Sequence, residues 1–232
     1  VIERLGLKGD ETVLDAGCGS GNVTRVLLDA LPDGDVIAVD GSPSMIEAAR
    51  ERVGEDRVEY HCQDLASLEL DRQADYVFSN ATFHWIPDHE ALFASLHGVI
   101  KPGGGLVAQC GGRGNVAEIH EALRQICTEE PFSEYISGLA EPWNFAGPEE
   151  TEIRLAGAGF IEPECWLEER VAIPEDPRGF MRASFMAPQL EALPEPLHDQ
   201  YVQRFGEIAG NPDHFNYVRL NMNAGKAKES DV

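Results

Sequence analysis

A chain of 232 residues with 43% hydrophobic residues carries enough apolar material for a full core, and its length fits one α/β domain with insertions. A formal charge of −23 excludes the basic surface that phosphate backbones and anionic membranes require, so neither nucleic acid nor membrane is an expected partner. Such acidity serves solubility first, and attraction of a cationic ligand is compatible with it. The apolar runs stop well short of the roughly 18 residues of a membrane span. No secretory pattern opens the chain. Cys18, Cys62, Cys110, Cys127 and Cys165 are odd in number and lack metal-ligand spacing; they are expected to be reduced thiols of a cytoplasmic protein, with no metal site. Opening on Val1 rather than Met suggests a processed or truncated N-terminus. A monomer or homodimer is expected.

The first element in chain order is a strand, Thr12-Val-Leu-Asp-Ala16, that runs into Gly17-Cys-Gly-Ser-Gly21 and then into a helix pattern from Val23 to Leu31. Gly17, Gly19 and Gly21 permit positive φ and let backbone approach a ligand closely. Cys18 meets the turn's need for a small residue. Ser20 or Asn22 is the expected helix cap. A second strand, Val36–Asp40, ends on an acid about twenty residues beyond the turn, the spacing of a nucleoside cofactor site. Asp40 can accept two hydrogen bonds from a ribose diol. Pro43 is placed to start the next helix. Asp15, two positions ahead of the first glycine, would repel a pyrophosphate and suits a ligand with an ammonium group and a sulfonium centre.

At this point the chain resembles the class I S-adenosylmethionine-dependent methyltransferases, whose first motif is this acid-x-Gly-x-Gly-x-Gly turn. The resemblance covers roughly residues 5 to 110. It implies that Asp40 binds the ribose hydroxyls and that Gly41-Ser42-Pro-Ser-Met45 lies along the adenine, with Met45 on its face. It further implies that Gln63-Asp64-Leu65, after the strand Val58–Cys62, meets the adenine amino group through Asp64. The fourth strand, Ala74–Asn80, would end where cofactor and acceptor meet, at Asn80 and Ala81. Phe83-His84-Trp85, a helix from about Asp88 and the segment Val99–Gln109 continue the family's order. Within the class, the run Asn80–His89 most resembles the trans-aconitate methyltransferases; the later Pro142–Pro148 segment fits that group loosely.

Helix and strand signals alternate from Val13 to Gln109, which implies a mainly parallel sheet with helices on both faces, and the resemblance implies a Rossmann-like, doubly wound, mostly parallel sheet of seven strands. A helix at Val116–Thr128, a helix from Pro148 towards Phe160, a sixth strand over Glu162–Val171 and a closing strand over Phe215–Met222 are expected. One domain results, with its core over 5–110, 148–172 and 213–223. Insertions at about 111–147 and 173–212 are expected to form a helical cap over the cofactor site.

Methyl transfer from a sulfonium needs position and exclusion of water more than a nucleophilic side chain. A carboxylate acceptor needs no base, whereas a phenol, amine or alcohol would gain from one. His84 is the candidate base, with a purely orienting role as its alternative. Trp85 and Trp143 are candidate substrate contacts, and Arg113, Arg182 and Arg219 are candidate partners for acceptor carboxylates. Alternatively Trp143, Phe145, Phe180, Met181, Phe185 and Met186 would line an apolar pocket. The expected activity is methylation of a small molecule at a carboxylate or other oxygen, with S-adenosyl-L-methionine as donor and S-adenosyl-L-homocysteine as product. Alternatives are a cofactor-binding module without transfer, an N- or C-methyltransferase of a small hydrophobic acceptor, and, if the turn admitted a pyrophosphate, a nicotinamide oxidoreductase.

Overall fold

The computed structural model describes residues 1–139 and 143–229, so Pro142, at the head of one expected segment, lies outside the described residues. A short 3-10 turn, Ile2–Leu5, precedes β1 (Thr12–Ala16), α1 (Asn22–Ala30), β2 (Asp35–Asp40), α2 (Pro43–Val53) and β3 (Val58–Cys62). A 3-10 turn at Leu65–Ser67, β4 (Ala74–Asn80), a 3-10 turn at Phe83–Trp85, α3 (His89–Gly98) and β5 (Ile100–Gly111) follow. Then come α4 (Ala117–Ile126), α5 (Ser133–Ile136), α6 (Pro148–Gly157) and β6 (Ile161–Ala172). The chain closes with α7 (Pro177–Phe185), α8 (Ala187–Ala192), α9 (His198–Ile208) and β7 (Phe215–Gly225).

The sheet has seven strands in the order β3-β2-β1-β4-β5-β7-β6. The pairs β3–β2, β2–β1, β1–β4 and β4–β5 are parallel, and β7 runs antiparallel to β5 with Gly111 opposite Arg219. The central strands β1 and β2 are apolar on both faces because both faces are covered, whereas the edge strand β6 is largely exposed. Leu14, Ile37, Val77 and Leu106 enter one core with α3 residues Leu92, Phe93 and Leu96. Val13, Val36, Phe78 and Val107 enter another with Leu27 and Leu28 of α1.

Two compact units divide the chain. The first comprises 1–113, 143–168 and 219–232, and the second 114–142 and 169–218. These bounds shift the expected core and cap. Residues 143–147 belong with the first unit, since Ala146 is buried in its core and accepts from the Arg113 N–H at 2.9 Å. Residues 169–172 and 213–218 belong with the second. Within that second unit, Arg204 grips both oxygens of Glu129 at 2.7 and 2.8 Å, and Phe132 meets Tyr201 edge-on. Phe180, half-buried, and Phe185 both pack on Phe215, and Met181, Phe185 and Met186 are buried in the core there.

Helix starts show where local chemistry was misjudged. Pro43 opens α2 as expected, but neither Ser20 nor Asn22 caps α1. Gly21 is the cap position, at φ +81°, and Asn22 Oδ1 is engaged by the Arg52 guanidinium. Gly21 is glycine for a packing reason as well: a Cβ there would lie 2.8 Å from Val53 Cγ2 and 3.1 Å from Ala49 Cα. The glycine thus sets how closely α1 approaches α2. Gly21→Ala combines left-handed strain with overpacking and should destabilise the fold by about 2–3 kcal/mol, lowering Tm by about 5–10 °C in a thermal melt.

Candidate functional site

The carboxyl ends of β1, β2 and β4 surround a cleft of about 910 Å³, built wholly within the first unit. Ligands of open α/β sheets bind at this end because the loops there carry unpaired backbone groups. The glycine turn after β1 is tied to the end of β2. The N–H groups of Gly17 and Cys18 both donate to the Val39 carbonyl, at 2.8 and 2.9 Å, and the Gly19 N–H donates to Asp40 Oδ2 at 2.9 Å. Asp40 Oδ1 accepts from the Ser42 N–H at 2.9 Å. Both oxygens are therefore fixed, and each keeps a lone pair for a ligand.

Twelve of the fourteen expected cofactor residues line the cleft: Asp15, Gly17, Cys18, Gly19, Asp40, Gly41, Met45, Gln63, Asp64, Leu65, Asn80 and Ala81. The other two, Gly21 and Ser42, are not among the lining residues; Gly21 spaces α1 from α2, and Ser42 orients Asp40. Asp64 has one oxygen committed to the Ala66 N–H at 2.9 Å, capping the turn that follows it. Met45, in the first turn of α2, is 41% exposed. Ser20, Asn22, Val23, Cys62, Thr82 and Ile86 also line the cleft and were not expected to. A signal for the first three was the start of α1 itself, whose first N–H groups have no side-chain cap.

Ala81 holds φ +60° without being glycine, its N–H bonded to the Gln109 carbonyl at 2.7 Å. That conformation costs about 1–2 kcal/mol for an L-residue. It turns the chain sharply off β4 and sets Thr82 against the glycine turn, where a Cβ on Gly17 would lie 2.1 Å from Thr82 Oγ1.

Asp15 is 1% exposed, and burial pushes its pKa up to about 6. A hydrogen bond from Thr24 Oγ1, at 2.7 Å, pulls the other way, and the Asp40 charge adds to the rise. The three ionisable residues on the cleft wall apart from its cysteines are Asp15, Asp40 and Asp64, with no lysine or arginine among the lining residues. A pyrophosphate finds no counter-charge there, whereas a sulfonium or ammonium ion does. Burial, Asp15 and Asp40 raise the Cys18 pKa far above the thiol range, so Cys18 is a small neutral residue of the turn.

His84 is placed beside the cleft, not among the residues that line it. It is 8% exposed, its Nδ1 accepts from the Gly111 N–H at 3.2 Å, and burial, then the charge of Arg219, lower its pKa to about 4. With Nδ1 occupied as an acceptor, the neutral ring carries its proton on Nε2 and lacks a spare lone pair. In this arrangement Nδ1 is not free to act as a base, and the ring can donate through Nε2. Arg219 is brought to this histidine through the Gly111 pairing. Arg113 is not available in the way expected, because it lies 3.2 Å from Glu150 and 3.9 Å from Glu149. Arg182 is exposed on α7, in the second unit. Trp85 lines the cleft and its ring lies 5.6 Å from that of Trp143. Among the described residues no His/Cys/Asp/Glu group could hold a metal, and no helix is long and apolar enough to cross a membrane.

A family model described as a methyltransferase domain matches residues 13–104. A trans-aconitate 2-methyltransferase of Methylobacterium radiotolerans is 34% identical over 141 residues, 60% of this chain and 53% of that protein. A malonyl-[acyl-carrier protein] O-methyltransferase of Acetivibrio thermocellus is 39% identical over 124 residues, 52% of this chain and 44% of that protein. The chain thus spans about half the length of these curated relatives. Phosphoethanolamine N-methyltransferase 2 of Haemonchus contortus, solved with phosphomonomethylethanolamine and S-adenosylhomocysteine, superposes with a TM-score of 0.61 at 24% identity. That match covers 98% of this chain and 52% of that one, and it is a likeness of fold.

A seven-stranded sheet with an antiparallel β7 between β5 and the edge strand β6, and with a glycine turn and an acid at the ends of β1 and β2, defines a Rossmann-like domain of the nucleoside-binding type. The chain carries a methyltransferase domain over residues 13–104, similar to the class I S-adenosylmethionine-dependent methyltransferases, and S-adenosylmethionine is the cofactor of such domains. The acid-walled cleft suits a sulfonium cofactor.

The raised pKa of Asp15 sets a pH dependence. Its charged form destabilises the empty fold above about pH 6, and that cost is relieved as the pH falls towards the aspartate's ordinary value. A cation in the cleft requires the charged form. Affinity for S-adenosylhomocysteine should therefore fall about tenfold from pH 7 to pH 5 by calorimetry, and Thr24→Val, which removes the opposing hydrogen bond, should move the decline to higher pH.

Proposed function

We propose that the protein transfers a methyl group from S-adenosylmethionine to a carboxylate or other oxygen of a small molecule. The observation that carries this reading is the cleft itself, where an acid fixed by two backbone N–H groups and a buried acid at the turn face a space without a basic residue on its wall. Asp40 would take the ribose diol, the Met45 face and Gln63-Asp64-Leu65 the adenine, and Asp15 with the uncapped start of α1 the amino-acid end. Bound there, the cofactor supplies an electrophilic methyl group. The residues around it hold position and exclude water, a contribution on the order of 7–11 kcal/mol for well-oriented reactants.

Oxygen is favoured as the acceptor atom by two observations. One relative is named for O-methylation, and another for an acid. A carboxylate also needs no proton removed, which agrees with a site whose histidine has its Nδ1 lone pair engaged. Asp40→Ala should weaken S-adenosylhomocysteine at least tenfold by calorimetry and, with the Gly19 and Ser42 hydrogen bonds lost, lower Tm measurably in a thermal melt. A panel of small acids, amines and thiols incubated with methyl-labelled cofactor should yield labelled esters or ethers; label confined to amines would overturn the oxygen assignment.

A further inference from the structure

The cations that would hold several carboxylates at once are missing from the cleft wall, which carries Asp15, Asp40 and Asp64 and no lysine or arginine. Arg113 is committed to Glu149 and Glu150. The chain as a whole bears −23, a field that disfavours polyanions. The wall beside Trp85 offers something different. Trp85 is 50% exposed and lies 5.6 Å from Trp143, which stacks on Phe145 with the ring planes 7° apart. Neighbouring His84 contacts the rings of Trp85 and Phe145 at 5.4 and 5.7 Å.

These rings are held by backbone hydrogen bonds. Asn144, between Trp143 and Phe145, donates its N–H to the His84 carbonyl at 2.7 Å and its Nδ2 to the Pro87 carbonyl at 2.9 Å. The Gly111 N–H pins the imidazole from the other side. The aromatic surface is therefore set before any acceptor arrives, and a rigid aromatic surface costs little entropy to use. On the strand opposite Gly111 stands Arg219, whose charge acts on His84.

We propose that the acceptor is a flat aromatic or conjugated monocarboxylic acid, its body laid on the Trp85–Trp143–Phe145 wall, and not a compact polycarboxylate. This rests on the methyltransferase reading and names its substrate class. In the transfer a carboxylate oxygen forms the new bond to the methyl carbon, the methyl–sulfur bond breaks, and sulfur keeps the electron pair as a thioether. No proton is released, so no base is needed at His84.

The full chain, saturated with S-adenosylhomocysteine, would be titrated with 2-naphthoate, citrate and 2-naphthylmethylammonium while tryptophan emission is followed. Saturable quenching by naphthoate is expected, with citrate and the ammonium ion at least tenfold weaker. Trp143→Ala should weaken naphthoate at least tenfold and leave S-adenosylhomocysteine within twofold by calorimetry, and Trp143→Phe should restore most of the naphthoate binding. Tighter binding of citrate or of the ammonium ion, no saturable naphthoate binding, or an unaltered Trp143→Ala variant would overturn the proposal. Labelled methyl transfer to citrate would overturn it and leave the transferase reading standing; failure to bind S-adenosylhomocysteine would overturn both.

Discussion

Three successive N–H groups, those of Gly17, Cys18 and Gly19, point at the last two residues of β2, and the site depends on that convergence. It joins the ends of two neighbouring parallel strands by short charge-assisted and backbone bonds, so the turn cannot drift from Asp40. Positive φ at Gly17 and Gly19 allows consecutive amides to face one way. Every other feature of the cleft is placed by reference to this joint. Asp15 is buried because the turn folds beside it, and Thr82 reaches the turn because Ala81 bends the chain back from β4.

Much of this was legible in the sequence, and unevenly so. Apolar runs such as Val36–Val39 and Tyr76–Phe78 mark the centres of β2 and β4 without polar alternation, whereas the full limits of Ala74–Asn80 come from the family resemblance. The nucleoside site was legible because close backbone approach demands particular residues at particular spacings, from Asp15 to Asp40 and on to Asp64. The cap of α1 was not legible. Ser20 and Asn22 are ordinary capping residues, but the packing of Gly21 on α2 and the Arg52 contact to Asn22 are long-range facts that local preference does not contain. His84 shows the same limit. A histidine after β4 suggests a base, and only the Gly111 N–H, from a strand distant in sequence, reveals that its Nδ1 lone pair is already used.

The division of labour between charge and aromatic surface explains why acceptor residues were harder to find than cofactor residues. Cofactor contacts come largely from backbone and carboxylates in a fixed order along the chain. The aromatic wall proposed for the acceptor instead joins Trp85 to Trp143 and Phe145 across a long stretch of sequence, and Asn144 holds the latter two by bonds to the backbone of the Phe83–Pro87 region. Arg113, a candidate carboxylate partner by its place beside an insertion, instead pairs with Glu150 at the start of α6.

The contact between Gly17 and Thr82 binds two loops into one heritable unit. A side chain at position 17 needs the space that the threonine fills, and Thr82 in turn donates to the Gly17 carbonyl at 3.2 Å. The glycine turn after β1 and the loop after β4 therefore cannot diversify independently. New acceptors would be reached by varying the rings beyond Thr82, leaving that residue and its glycine as a fixed hinge between an unchanging half of the reaction and a changeable one.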